Sequence, residues 1–278
     1  MSRYDKIIQK AQTLLPELDV PIIPDELVKI QQLLNKHDMP DFQQLGDLIS
    51  QNPYIAAEIV SLANLPFFNP QGTHIKDLDS AIFHLGINQI KDYVLSIHIK
   101  QKFLDRSFKG LGQHSHKIAL ICAAIANNVK SLNRSEAFFI GLLHDIGCFA
   151  LYQMDPNYGI VFQASESRFN DNNQAEFKRY GTSHSAFGYV IAQTLNLPED
   201  VALTVLLHHE TKFERINHCK VRTNITMLRL AHLIHYQQTS DQPNLQTKMQ
   251  QALNQACELL NIDETTIRKI QLQTNNLS

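Results

Sequence analysis

Residues 141–151 read GLLHDIGCFAL, an apolar run interrupted only by the adjacent pair His144 and Asp145. Its spacing predicts a helix over 135–152, on which neighbouring side chains point about 100° apart. Burying a carboxylate beside an imidazole in apolar surroundings is costly unless both are paired or ligate a cation. The pair by itself suits a structural role as well as a functional one.

Helical periodicity continues outward in both directions. Downstream and around the pair, helices are predicted over 113–129, 157–168, 183–195, 199–210 and 223–237, with Pro198 as a break. Upstream, Ile7, Ile8, Ala11, Leu14 and Leu15 form one apolar stripe, and Ser2 with Asp5 resembles a capping box. Pro16 to Pro24 reads as an extended linker. A second helix starts near Asp25, with Leu27, Ile30, Leu33 and Leu34 on one face. Asp41 with Gln44 opens a third, carrying Leu45, Leu48 and Ile49. Asn52 before Pro53 is a cap followed by a first-turn proline. A short helix over 77–85 stops at Gly86, and another runs over 88–103. Asp105 to Gly112 is weakly periodic and marks a subdomain boundary. In the glutamine-rich tail, Leu245, Met249, Ala252, Leu253, Ala256 and Leu260 keep helical spacing. Alternating strand patterns are nearly absent, so the predicted fold class is all-α.

The composition narrows the function. The chain has 278 residues, 44% of them hydrophobic and 19% charged, a globular mix. Lys plus Arg number 25 and Asp plus Glu 27, a formal charge of −2 that gives no reason to expect a nucleic acid. Cys122, Cys148, Cys219 and Cys257 never pair at C-x-x-C spacing, which excludes a zinc ribbon and suits a reducing compartment. No signal-type leader and no long uncharged apolar run is apparent, so a soluble, cytoplasmic protein without membrane partners is expected. Histidine is the excess: 13 in all, nine of them between His114 and His235.

These histidines sit on separate predicted helices: His114 in HSHKIA, His184 in YGTSHSAFG, His208 and His209 in LLHHE, His232 in LRLAHLIHY. A cage of imidazoles around one carboxylate suits one or two divalent transition metals such as iron, manganese, zinc or nickel. One bridging carboxylate holding two ions could activate a water for attack on phosphorus. The plainer reading is weighed beside it. His37, His74, His84 and His98 have no partner pattern. His116 faces away from His114, while His218 and His235 read as solvated. The pair His208–His209 could merely cap a helix C-terminus, where imidazolium is favoured.

HSHKIA, GLLHDIG, HSAFGYVIAQTLNLP and HHE, in that order, resemble the motifs of the HD superfamily of metal-dependent phosphohydrolases. The stretches LGDLISQNPYIAAEIVSLANLPFF and IKDLDSAIFHLGINQIKDYVLS are similar to the lead-in of HDOD proteins, the HD-related output domains of bacterial signalling. The resemblance implies an N-terminal helical subdomain (1–105), an HD-like helical subdomain with a metal site (106–237) and a helical tail (238–278), with an HDOD span of about 17–213. It implies His114, His144, Asp145, His184, His208, His209 and His232 as metal ligands, with Asp145 bridging and the pair Asp145 and His144 as the catalytic residues. His232 falls where the superfamily has its final aspartate. Other departures point away from catalysis. Cys148 follows the HDIG run where the enzymes carry lysine, Thr211, Lys212, Phe213 and Glu214 replace the signature of cyclic di-GMP hydrolases, and Gly110 leaves no acid for a third metal.

The resemblance therefore implies a bacterial regulatory protein that retains a metal site and acts through signalling partners or a small phosphorylated ligand, while the amphipathic glutamine-rich tail suits either internal packing or pairing into a homodimer. Its rival is a metal-dependent phosphohydrolase that cleaves a phosphoester, such as that of a nucleotide, with a metal-activated water. A third reading is a structural domain with relic HD residues.

Overall fold

The computed structural model describes residues 3–21, 24–34, 42–166, 173–212, 216–240 and 247–275. Among them are sixteen α-helices and no strand. In chain order these are α1 (Arg3–Leu14), α2 (Asp25–Leu34), α3 (Phe42–Ser50), α4 (Pro53–Ala63), α5 (Leu78–Leu85), α6 (Ile90–Ile99), α7 (Leu111–Ala126) and α8 (Arg134–Leu143). There follow α9 (Gly147–Met154), α10 (Tyr158–Glu166), α11 (Asn173–Tyr180), α12 (His184–Thr194), α13 (Glu199–Leu207), α14 (Cys219–Thr239), α15 (Thr247–Leu260) and α16 (Glu264–Asn275). The all-α class expected from the sequence is what forms.

Local chemistry sets the helix ends. The Asn52 side chain accepts from the Ile55 amide at 3.2 Å, with Pro53 opening α4. The Asp77 carboxylate accepts from the Ser80 amide at 2.8 Å, and α5 stops at Gly86 with φ +94°. The expected caps at Ser2 and Asp41 lie outside the described residues, as do His37, Leu245, Phe213 and Glu214.

The α1 stripe is buried through Ile7 and Ala11 and continues to Leu15 in the 3-10 turn that follows, and the helix lies on α12. Helices α2 to α6 pack on one another, and α6 joins this group to α8. Helix α7 pairs with α8, α12 contacts α9 and α13, and α14 contacts α7 and α15. One continuous apolar cluster runs from Ile7 to Ile270, so the two halves share a core. The apolar stretch Arg134–Met154 belongs to it: 83% of its most apolar window is buried within the protein. In the tail, Met249, Ala252, Ala256 and Leu260 are buried as their spacing predicts, while α16 carries no stripe that the sequence reading singled out.

One expectation is corrected at the point that matters most. The predicted helix over 135–152 breaks into α8 and α9 around His144, Asp145 and Ile146. There the amides of Ile146, Cys148 and Phe149 bond to carbonyls three residues back, at 2.9, 2.9 and 3.2 Å. The cause lies in the crossing beyond. Gly147 abuts the backbone of α12, where an added Cβ would overlap the His184 carbonyl oxygen and lie 2.5 Å from the Gly188 amide. On α8, Gly141 meets α7 as closely, with an added Cβ 2.6 Å from Ala119 Cα. The chain bends so that α8 can rest on α7 and α9 on α12, and the bend turns His144 and Asp145 inward together.

Gly147→Ala should lower stability by about 3 kcal/mol, since backbone rather than a movable side chain occupies the space. Urea unfolding would show a lower midpoint; an unchanged midpoint would contradict the tight crossing.

Candidate metal centre

His114 lies in the first turn of α7, after Gly110 at φ +107°. His144 and Asp145 occupy the bend. His184 opens α12, whose cap Ser183 accepts from the Ala186 amide at 3.3 Å. His208 closes α13 with His209 behind it, and His232 sits along α14. The fold brings all seven expected residues together as two adjoining groups. One group holds Asp145, His184, His208 and His209; the other holds His114, His144 and His232.

Asp145 stands between the groups. Its Oδ2 lies 3.0 Å from His144 Nε2 and 3.5 Å from His114 Nε2. Its Oδ1 lies 3.5 Å from both His184 Nε2 and His208 Nε2. His184 Nε2 is 2.9 Å from His209 Nε2 and 3.3 Å from His208 Nε2, and His232 Nε2 is 3.2 Å from His144 Nε2.

The other ring nitrogens define the chemistry. His144 Nδ1 lies 2.7 Å from the Gly141 carbonyl oxygen and His208 Nδ1 2.7 Å from that of Val205. His184 Nδ1 lies 2.8 Å from the Glu176 carboxylate. Carbonyl and carboxylate oxygens only accept, so these three Nδ1 atoms donate, and each ring turns its Nε2 inward. Neutrality is favoured. Burial pushes the imidazoles of His208, His209 and His232 below the ordinary 6.5. For His209 the neighbouring His208 and His184 add to this, and for His232 so do His144 and His114. Nε2 of His184 thus lies against Nε2 of His208, and Nε2 of His144 against the Asp145 carboxylate. A cation between such atoms would be held by all of them, so the donor set fits divalent metal ions: three imidazoles and one oxygen of Asp145 on each side. Burial alone would raise the Asp145 carboxyl, yet His144, then His208 and His184, hold it well below the usual carboxylate range. Burial, which pushes both groups down, disfavours the alternative in which His208 and His209 serve as an imidazolium cap, although His208 Nδ1 does meet a last-turn carbonyl of α13.

Sequence reasoning missed Glu176. It lies on α11, a helix over a polar stretch with no apolar stripe to announce it, and is 2% exposed. Its carboxylate accepts from the His184 amide at 2.8 Å, from His184 Nδ1 and, at 2.6 Å, from the Tyr158 hydroxyl. Burial raises its carboxyl, and the opposing pull of His184 outweighs that. The only hint was an acidic residue eight positions before His184. Cys148, behind this pair, is buried with its Sγ 3.4 Å from the Tyr158 hydroxyl oxygen.

The remaining histidines sort themselves. His74 meets the Asn64 side chain at 3.1 Å, His84 the Phe68 carbonyl oxygen at 2.9 Å, and His98 is in the core. His116 packs against Phe138, and burial lowers it to about 4. His218 caps α14. His235, expected in solvent, is half-buried with its ring centroid 5.6 Å from that of His114.

Residues 20–211 match the profile of the HDOD domain family. The solved structure of an HDOD domain protein of unknown function from Geobacter sulfurreducens is 21% identical, with a TM-score of 0.71 over 99% of both chains. A candidate metal-dependent phosphohydrolase from Shewanella amazonensis is 17% identical, with a TM-score of 0.64 over 99% of this chain and 100% of the other. Both likenesses concern the fold. An uncharacterized protein from Treponema pallidum is 23% identical over 69% of this chain, and the match spans 38% of that relative's length.

Two outcomes follow from the cage. The unfolded chain protonates histidine near 6.5, while the folded cage keeps His208, His209 and His232 neutral to lower pH. The unfolded state thus binds more protons there, and stability of chelator-treated protein should fall as pH drops from 7 to 5. Asp145 and Glu176, shifted down, contribute stability that is lost only at still lower pH. Thermal melts across this range would read it, and a Tm flat from 7 to 5 would contradict neutral imidazoles. Second, Glu176→Gln keeps the shape but removes the charge behind His184, and metal affinity should drop about 10- to 100-fold in chelator competition.

Proposed function

Because this chain belongs to the HDOD domain family, we propose that it is a bacterial signal-transduction module built around a metal-loaded HD-type centre, which acts by binding a partner or a small ligand. One observation carries the reading: seven donor side chains meet, and three of the imidazoles are anchored through Nδ1 so that Nε2 faces the cluster. A vestigial cage would have lost members or turned them toward hydrogen-bond partners. His114, His144 and His232 with Asp145 Oδ2 would hold one ion, and His184, His208 and His209 with Asp145 Oδ1 another. Favouring a regulatory over a catalytic role, Cys148 stands where related enzymes carry lysine, and its thiol is buried against Tyr158 rather than offering a charge to a phosphate.

The completeness of both groups favours a second reading, a phosphohydrolase. Bound metals would polarise a phosphoryl oxygen and acidify a water. In that case Asp145 and His144 lie at the reacting end, while Glu176 fixes the ring of His184.

Protein purified without a metal-affinity tag should contain close to two metal ions per chain by mass spectrometry, and Asp145→Ala should lose most of them. Absence of metal from the wild type would refute both readings. Turnover of phosphoesters or cyclic dinucleotides that Asp145→Ala abolishes would replace the regulatory reading with the enzymatic one.

A further inference from the structure

A cavity of about 390 Å³ lies between α1, α11, the start of α12 and the segment after α13. This volume falls in the range of small-molecule sites. Of the seven cage donors, His209 alone lines it. His209 is also partly exposed where His208 is buried, so the cavity is the approach to the Asp145–His184–His208–His209 group.

The walls differ from the cage. Tyr4 and Ile7 of α1 face the cavity, as do Phe177 of α11 and Leu206 of α13, while Glu210 and Lys212 add one carboxylate and one exposed cation, so the wall itself carries no net charge from this pair. Helix α1 is fixed there. The Thr182 hydroxyl donates to the Ile7 carbonyl at 2.8 Å, the Tyr4 hydroxyl donates to Glu210 Oε2 at 3.3 Å, and Ala11 is fully buried. Residues 3–14 precede position 20, where the match to the family profile begins. This wall therefore lies outside the profile's span, although the Geobacter structure aligns over 99% of the chain.

Charge and shape together describe the occupant. Divalent ions held by a single carboxylate leave the cage strongly cationic, so a ligand reaching it must be anionic. A phosphoryl-type head with several oxygens satisfies cations best. Its body must suit two aromatic side chains, whose flat faces favour ring stacking. We propose that this cavity binds a small phosphoryl-bearing ligand with a flat ring, its head toward His209 and its ring against Tyr4 and Phe177. The N-terminal helix thereby takes part in ligand choice. This rests on the reading that the cage holds metal.

The test compares phenylphosphonate with methylphosphonate, which share a head group, by calorimetric titration of metal-loaded full-length chain. Phenylphosphonate should bind about tenfold tighter. Tyr4→Ala and Phe177→Ala should each shrink that preference about fivefold while leaving methylphosphonate affinity unchanged, and Tyr4→Phe should keep it. Metal content is measured on the same samples. Metal-loaded protein that binds neither probe, binds both equally, or keeps its preference in both alanine variants would overturn the cavity assignment and leave the metal reading intact. Protein without metal would refute the metal reading, and the cavity proposal with it.

Discussion

The structure turns on a carboxylate that water barely reaches. Asp145 is 5% exposed and sits in an apolar bend, where an unpaired charge would be prohibitive. Six imidazoles surround it, three of them anchored from behind by Gly141, Val205 and Glu176 acceptors. That anchoring turns their Nε2 atoms toward the carboxylate and toward one another. Positive charge at the centre, from a bound cation or from imidazole pairing, is what such a carboxylate calls for.

The helices around it follow from that requirement. Both Asp145 and His144 must face inward, which neighbours on a straight helix cannot do readily. The bend between α8 and α9 solves this, and glycine makes the bend fit. Gly141 admits α7 and Gly147 admits α12, so the helices carrying His114 and His184 come within reach. Site and fold are thus one constraint viewed at two scales.

Much of this was legible in the sequence. Amphipathic stripes such as Ile7–Ala11–Leu15 gave the helices, and the order HSHKIA, GLLHDIG, HSAFG, HHE gave the expected ligand set. The parts that escaped share a physical cause. The bend at His144 arises from backbone contacts with a helix distant in sequence, which local periodicity cannot register. Helix α11 is polar and short, so no stripe marks it, and Glu176 is hidden with it. His235 reads as solvent-facing by composition, yet α14 runs deep enough to press it against His114.

The order of the donors along the chain has a consequence for biosynthesis. His144 and its neighbour His232 are 88 residues apart, and α14 is the last contributor to the cage. A ribosome that has just released α12 has exposed His114, His144, Asp145 and His184 but neither the doublet after α13 nor His232. Such a nascent chain owns incomplete cups on both sides of the carboxylate. The Asp145–His184–His208–His209 group is complete once residue 209 has emerged and the His114–His144–His232 group only after α14, so any ion the cage holds would be taken up after most of the surrounding helices have been made.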